Sequence, residues 1–139
     1  MKPHRLPQRT TRSHETIQHY AIRAHLALEE LKAGDIRTQW LIELGCYVEI
    51  AWQCGSLQFR SPPKAIEKAK AFIIELLNLS QQNQLPAGLT DAQWQALCSA
   101  VSCADGVWQR IPDDLLFRVM HQISKAIQVP DSDCIAQYN

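Results

Sequence analysis

Apolar side chains recur at intervals of three and four positions in five separate segments, the spacing that places them on one face of an α-helix. No stretch of useful length alternates between apolar and polar residues, so the pattern predicts no strand. The first two predicted helices run over about 13–33 and 35–53, and the third opens at 61–63. The fourth runs over about 91–104, and the last lies between Pro112 and Pro130. The pattern therefore predicts an all-α fold, a compact bundle of about five helices.

Capping and helix-breaking residues set the predicted ends of these helices. The Ser13 hydroxyl is placed to cap the first helix, and Gly34 follows it as a stop. Gly55 and Asp105-Gly106 are predicted to end the second and fourth helices. Thr90, with Gln93 three residues later, forms the sequence of a capping box.

Three regions follow from these boundaries. Residues 1–12 are predicted to form a flexible basic arm, 13–130 a single helical domain, and 131–139 a loose acidic tail. The uncharged polar segment 80–90 is a connecting loop and the one candidate subdomain boundary.

The second predicted helix is apolar on two sides. The main stripe consists of Trp40, Leu44, Tyr47, Val48 and Ala51. A second stripe lies roughly on the opposite side of the helix and consists of Ile42, Cys46 and Ile50. Such a helix is either central in a bundle or half of an interface, and the central position is favoured. The second stripe is then a candidate for self-association as a homodimer through this helix, or for docking of a protein partner.

Four tryptophans are many for a small helical chain, and tryptophan is frequent in interface hot spots as well as in cores. Trp52 falls outside the main stripe of its helix, and Trp108 falls in a predicted connection. Both are candidate exposed anchors, with core packing as the alternative. The partner-binding candidates are Ile42, Cys46, Ile50, Trp52 and Trp108.

The 139 residues carry 14 basic and 14 acidic side chains, a balance that argues against a surface built throughout for nucleic acid. The charge is unevenly distributed, however. The arm holds four cations and no acid, so the rest of the chain carries a net charge of −4; the four are Lys2, Arg5, Arg9 and Arg12. The arm is either a solvated terminus or a clamp for an acidic partner or a phosphate backbone.

A nucleic-acid hypothesis also follows from the junction of the first two helices. The short turn around Gly34 is compatible with a helix-turn-helix, in which Arg37, Thr38 and Gln39 would contact bases. An ordinary antiparallel helical hairpin is favoured, because a recognition helix needs a free polar face. The alternative function is a DNA-binding transcriptional regulator that uses the arm and these three residues.

Motifs for catalysis or cofactor binding are not recognisable in the sequence, so an enzyme is not predicted and no cofactor is expected. The five cysteines are an odd number and no secretory signal is recognised, which favours reduced thiols in a cytoplasmic protein. Cys98 and Cys103 are five residues apart, a spacing that does not suit one zinc ion on a regular helix, so no metal site is predicted. No apolar run is long enough to predict a membrane span.

Two segments, 11–14 (TRSH) and 24–34 (AHLALEELKAG), resemble short helical accessory proteins of proteobacterial plasmids and phages. The resemblance covers the first quarter of the chain and transfers no catalytic residue. It implies a mobile-element protein that binds a host or rival component, for example as an inhibitor of a defence system. Together with the two-faced helix, it predicts a non-catalytic, cytoplasmic protein-interaction module that modulates or inhibits a host macromolecular complex.

Overall fold

A computed structural model describes residues 9–59 and 63–127, and over these ranges the chain forms helices and no strand. The helices are α1 (Thr11–Lys32), α2 (Thr38–Phe59), α3 (Lys64–Gln81), α4 (Asp91–Arg110) and α5 (Asp113–Ile127). This confirms the predicted all-α bundle. None of these described helices combines the length and the apolar character that crossing a membrane requires. Most of the predicted arm, residues 1–8, and the predicted tail lie outside the described residues.

The two ends of α1 differ in how well the sequence predicts them. The helix begins at Thr11, and its cap is Thr10, whose hydroxyl oxygen accepts a hydrogen bond from the Ser13 amide at 3.1 Å. The predicted cap at Ser13 is therefore wrong: Ser13 is buried, and its hydroxyl donates to the Thr10 carbonyl at 3.0 Å. The predicted stop is confirmed, because Gly34 has a φ of +94°, which side chains with a Cβ rarely adopt.

The predicted stops at Gly55 and Gly106 are wrong, since α2 continues to Phe59 and α4 to Arg110. Gly55 serves packing inside the helix instead: a Cβ there would lie 3.1 Å from Cγ of Pro63, so the missing side chain leaves room for this proline. Nothing comparable surrounds Gly106, and the helix passes through it because Val107 and Trp108 continue its buried face. The capping box at Thr90 is confirmed, with both of its hydrogen bonds present.

Helix α2 is the central element of the bundle, as predicted, and it packs against all four other helices. The middle of the core receives Leu44, Tyr47, Val48 and Ala51 from its main stripe, all almost fully buried, and Leu41 from beside the stripe. Trp40, the first residue of the stripe, is only partly buried. The two-sided apolar character of α2 thus follows largely from its position. Only the side between α1 and α3 is left partly open.

An aromatic stack joins three helices inside this core. The Trp108 ring of α4 lies between Tyr20 of α1, at 5.5 Å, and Tyr47 of α2, at 4.9 Å between ring centroids. Its indole nitrogen donates a hydrogen bond to the Tyr47 carbonyl at 3.0 Å, and the residue is 1% exposed. The prediction of an exposed anchor at Trp108 is wrong, because α4 extends past Gly106 and carries this side chain onto its buried face.

Arg9 is held by the domain instead of projecting from it. Its guanidinium donates to the carbonyls of Trp108, at 2.6 Å, and of Ile111, at 2.7 Å, and forms an ion pair with Asp113. The side chain is 6% exposed. Arg9 therefore satisfies carbonyls at the end of α4 and joins that end to the start of α5. Its assignment to a free basic arm is corrected.

Candidate partner-binding surface

Large apolar side chains are exposed on four of the described helices, but they come together as a stripe only on α1. The exposed set is Ile22, Leu26, Leu57, Phe59, Ile74 and Phe117. Ile22 is 64% and Leu26 40% exposed, and they lie one helical turn apart on the same side. The exposed His19 and Glu29 extend this stripe at each end by a further turn. We call the four residues His19, Ile22, Leu26 and Glu29 the α1 face.

An ion pair with α2 fixes the rotation of α1 and so keeps this face outward. Nε of Arg23 donates to the Glu43 carboxylate at 3.0 Å, and its guanidinium carbon lies 5.8 Å from the centre of the Trp40 ring. Glu43 is 5% exposed, so the pair is shielded from water on the α2 side. Because Arg23 follows Ile22 directly, any rotation of α1 that buried Ile22 would break this pair.

The predicted stripe on α2 is divided by the fold. Ile42 and Cys46 are partly exposed on the open side of α2, beside α1, whereas Ile50 is 3% exposed and belongs to the core. The prediction that all three form one accessible stripe is therefore wrong at Ile50. Its position lies nearer to the side of α2 on which α1 packs, and this side is covered.

Trp52, the remaining partner-binding candidate, is partly exposed but is covered on one side by a cation. Nζ of Lys70 lies 3.8 Å from the centre of the Trp52 ring and 2.6 Å from a Glu49 carboxylate oxygen. This contact joins α2 to α3 and holds the ring against the bundle. Sequence reasoning did not identify Lys70, although a lysine opposite a half-buried tryptophan commonly packs in this way.

The predicted nucleic-acid residues that the structure describes are not brought together. Lys2 and Arg5 lie outside the described residues, Arg9 is engaged by the domain, and Arg12 is exposed on the first turn of α1. The other three, Arg37, Thr38 and Gln39, are exposed where α2 begins.

The start of α2 is held by local hydrogen bonds. Nε of Arg37 donates to Asp35 at 2.8 Å, and the Thr38 hydroxyl bonds that of Ser80. Arg37 and Thr38 also line an open depression of about 470 Å³ beside the loop that follows α3. Because α2 packs against four helices and its one open side carries Ile42 and Cys46, it has no free polar side to place in a groove of DNA, and the geometry favours the helical hairpin.

A polar cluster of His25, Tyr47 and Asp105 joins α1, α2 and α4. The Asp105 carboxylate accepts a hydrogen bond from the Tyr47 hydroxyl at 2.5 Å and lies 2.9 Å from Nε2 of His25. Burial, followed by the hydrogen bond to Asp105, raises the pKa of Tyr47 above its ordinary value of 10.0. The phenol thus keeps its proton and donates a hydrogen bond to the carboxylate, and the cluster links the three helices.

The four described cysteines are free thiols, and burial raises the pKa of each. For Cys46 the pKa rises to about 11, first through burial and then through the carboxylates of Glu43 and Glu49. For Cys54 burial alone raises the pKa to about 11. Both thiols are therefore protonated at neutral pH, and we expect them to react slowly as nucleophiles.

We expect the free energy of unfolding to fall as the pH rises from about 9 to about 11. Below pH 9 both Cys46 and Cys54 hold their protons in the folded and unfolded chains, so their contribution to stability is complete. Above their ordinary pKa of 9.0 the unfolded chain releases these protons, while the folded chain keeps them until about pH 11. Each group then lowers stability by up to about 1.4 kcal/mol per pH unit.

Urea denaturation at intervals between pH 8 and pH 11 measures this loss. The matched control is the double variant Cys46→Ala, Cys54→Ala, which should show a flatter profile over the same interval. Tyr47, whose pKa is also raised, should still lower the stability of this variant above pH 10. Equal slopes in the wild type and the double variant between pH 9 and pH 10 would contradict the assignment to the two thiols.

Within residues 9–59 and 63–127, no three histidine, cysteine, aspartate or glutamate side chains come together as ligands for a metal ion. Comparisons with family models, curated proteins and solved structures found no match to this chain.

Proposed function

We propose that this chain is a protein-interaction module whose binding surface is the α1 face, together with the adjoining open side of α2 at Ile42 and Cys46. The observation that carries the proposal is the pair Ile22 and Leu26, two aliphatic side chains held outward on one stripe of a helix. When a partner removes neighbouring apolar side chains from water, their burial favours binding by about 25 cal/mol per Å². Arg23 and Glu43 support the proposal, because their ion pair holds the stripe in place before a partner arrives.

The resemblance of the first quarter of the chain adds a biological setting to this proposal. In that setting the protein is a cytoplasmic, non-catalytic accessory protein of a phage or plasmid, and it modulates or inhibits a host macromolecular complex. The proposed mode of action is occupation of a surface, with no chemical step. The alternative of a DNA-binding regulator gains no specific support, because Arg9 is engaged within the domain and α2 packs against four helices.

We expect Ile22→Glu to remove partner binding, because the interface would have to bury a carboxylate without a counter-charge. The matched control is Ile74→Glu: Ile74 lies on α3, is 55% exposed and is outside the proposed surface. A photoreactive amino acid at the exposed Gln18 measures binding as the yield of cross-linked adduct in cells that naturally express the chain. The yield should fall about tenfold or more with Ile22→Glu and stay unchanged with Ile74→Glu.

Circular dichroism establishes that both variants keep the helical fold, so that a loss of adduct reports binding. Equal adduct yields from the two glutamate variants, or no adduct from the wild type, would contradict the proposed function. An adduct that contains a nucleic acid and no second polypeptide would favour the regulator.

A further inference from the structure

From the arrangement of charge around Ile22 and Leu26, we infer that the partner of the α1 face is a second copy of this chain, bound as an antiparallel pair of α1 helices. This inference rests on the proposed function, because it names the partner of the same surface. It differs from the homodimer predicted from the sequence, which used α2 and included the buried Ile50.

The side of α1 that faces the core leaves the α1 face free for such a pair. The core side carries Ala24, Ala27 and Leu31, each fully buried, and the α1 face lies across the helix from them. Helix α1 has 22 residues and is therefore about 33 Å long, so the stripe from His19 to Glu29 occupies its central and C-terminal turns. Two copies can align this stripe side by side without displacing any described helix.

Charge selects one register of the antiparallel pair. When Ile22 of one copy faces Leu26 of the other, His19, three residues before Ile22, faces Glu29, three residues after Leu26. An imidazole opposite a carboxylate forms a hydrogen bond as the neutral ring and an ion pair as the cation. A two-fold axis forms this contact twice, once at each end of the apolar pair.

Both members of the contact are available for a second copy. His19 and Glu29 are exposed, and neither forms an ion pair with another described residue of its own chain. Two charged residues beside the α1 face are already engaged: Arg23 pairs with Glu43, and Lys32 lies 5.3 Å from the centre of the Trp94 ring.

Two competing arrangements bring like charges together. If Ile22 faces Ile22 of the second copy, the antiparallel register puts Glu15 opposite Glu29 and Arg12 opposite Lys32. A parallel pair places every charged residue of α1 near its own counterpart. Like charges placed opposite each other disfavour an interface, so the arrangement with His19 opposite Glu29 is preferred.

The size of the contact sets the expected strength. One helix against one helix is at the small end of specific interfaces, and such contacts are weak and transient. We therefore expect a dimer that forms at micromolar or higher concentration of the full-length chain, observed by sedimentation velocity over a wide concentration range.

Charge reversal at the two ends of the pair tests the arrangement directly. His19→Glu places two carboxylates opposite each other, and Glu29→Lys removes the acceptor of His19. Each variant alone should raise the dimer dissociation constant about fivefold or more. Mixed in equal amounts, the two variants should form a heterodimer of near wild-type strength. In that heterodimer the new carboxylate of one chain faces the new ammonium group of the other, and the second contact is the native His19 with Glu29.

Two further variants separate this interface from any other. Ile22→Glu should leave a folded monomer at concentrations where the wild type is dimeric, and Ile74→Glu should dimerise like the wild type. A dimer that survives Ile22→Glu, or charge-reversal variants that stay weak when mixed, would overturn the antiparallel α1 pair.

The outcome also distinguishes this inference from the proposed function. A wild type that stays monomeric, with an adduct at Gln18 that contains a different protein and is lost with Ile22→Glu, overturns the self-pairing and leaves the proposed function standing. An adduct of twice the chain mass, lost with Ile22→Glu, supports both. A monomer that gives no adduct overturns both.

Discussion

Trp108→Ala should lower the free energy of unfolding by about 3–5 kcal/mol, the range for truncating a buried large aromatic side chain. The substitution removes a ring that is stacked between Tyr20 and Tyr47 and leaves a cavity where α1, α2 and α4 meet. It also leaves the Tyr47 carbonyl without the indole donor. Urea denaturation followed by circular dichroism measures the loss.

Trp108→Phe is the control that separates packing from hydrogen bonding. A phenyl ring keeps part of the stack and loses the hydrogen bond, so we expect a smaller loss than for alanine, about 1–3 kcal/mol. If Trp108→Ala cost less than about 1 kcal/mol, the ring would not be the centre of the core that the structure describes.

Arg9→Ala should cost about 3 kcal/mol, because it removes a buried cation with its hydrogen bonds and leaves the Asp113 carboxylate without its ion pair. Arg9→Lys should recover only part of this loss, since an ammonium group lacks the planar fork that reaches several acceptors at once. Thermal and urea unfolding of the purified full-length variants measure both effects.

Arg12→Ala is the matched control, since Arg12 is also a cation near the start of α1 but is exposed. We expect it to change stability by less than about 0.5 kcal/mol. Equal effects at the two positions would mean that the Arg9 contacts contribute nothing to the folded state.

The helices could be predicted because each carries a local signal. The apolar stripes, the left-handed Gly34 and the capping box at Thr90 depend on residues within a turn or two of one another. The misplaced stops at Gly55 and Gly106 had a different cause. Whether a helix ends at a glycine depends on whether the residues beyond it are packed as a helix, and at Gly55 the missing Cβ also leaves room for Pro63 of a distant segment.

The surface was harder to predict because exposure is decided by distant segments. Ile50 and Ile42 are both isoleucines of one stripe, yet Ile50 is buried while Ile42 stays partly open. Arg9 gave no local sign of its role either, since its partners belong to the junction of α4 and α5. Ile22 and Leu26 lie one turn apart in the sequence, but their exposure depends on which side of α1 packs on the core, and the Arg23–Glu43 contact supports that orientation.

The contact of Arg9 also relates the domain to the order in which a ribosome makes it. Arg9 is synthesised 104 residues before Asp113, and 99 and 102 residues before the residues whose carbonyls it binds. The α1–α2 hairpin can fold while translation continues, but the guanidinium has no acceptors until α4 and the start of α5 have emerged. The first described residue of the chain is therefore secured only after Asp113, 104 residues later, has been made, and a nascent chain that stops short of α5 displays a cation that the folded domain conceals.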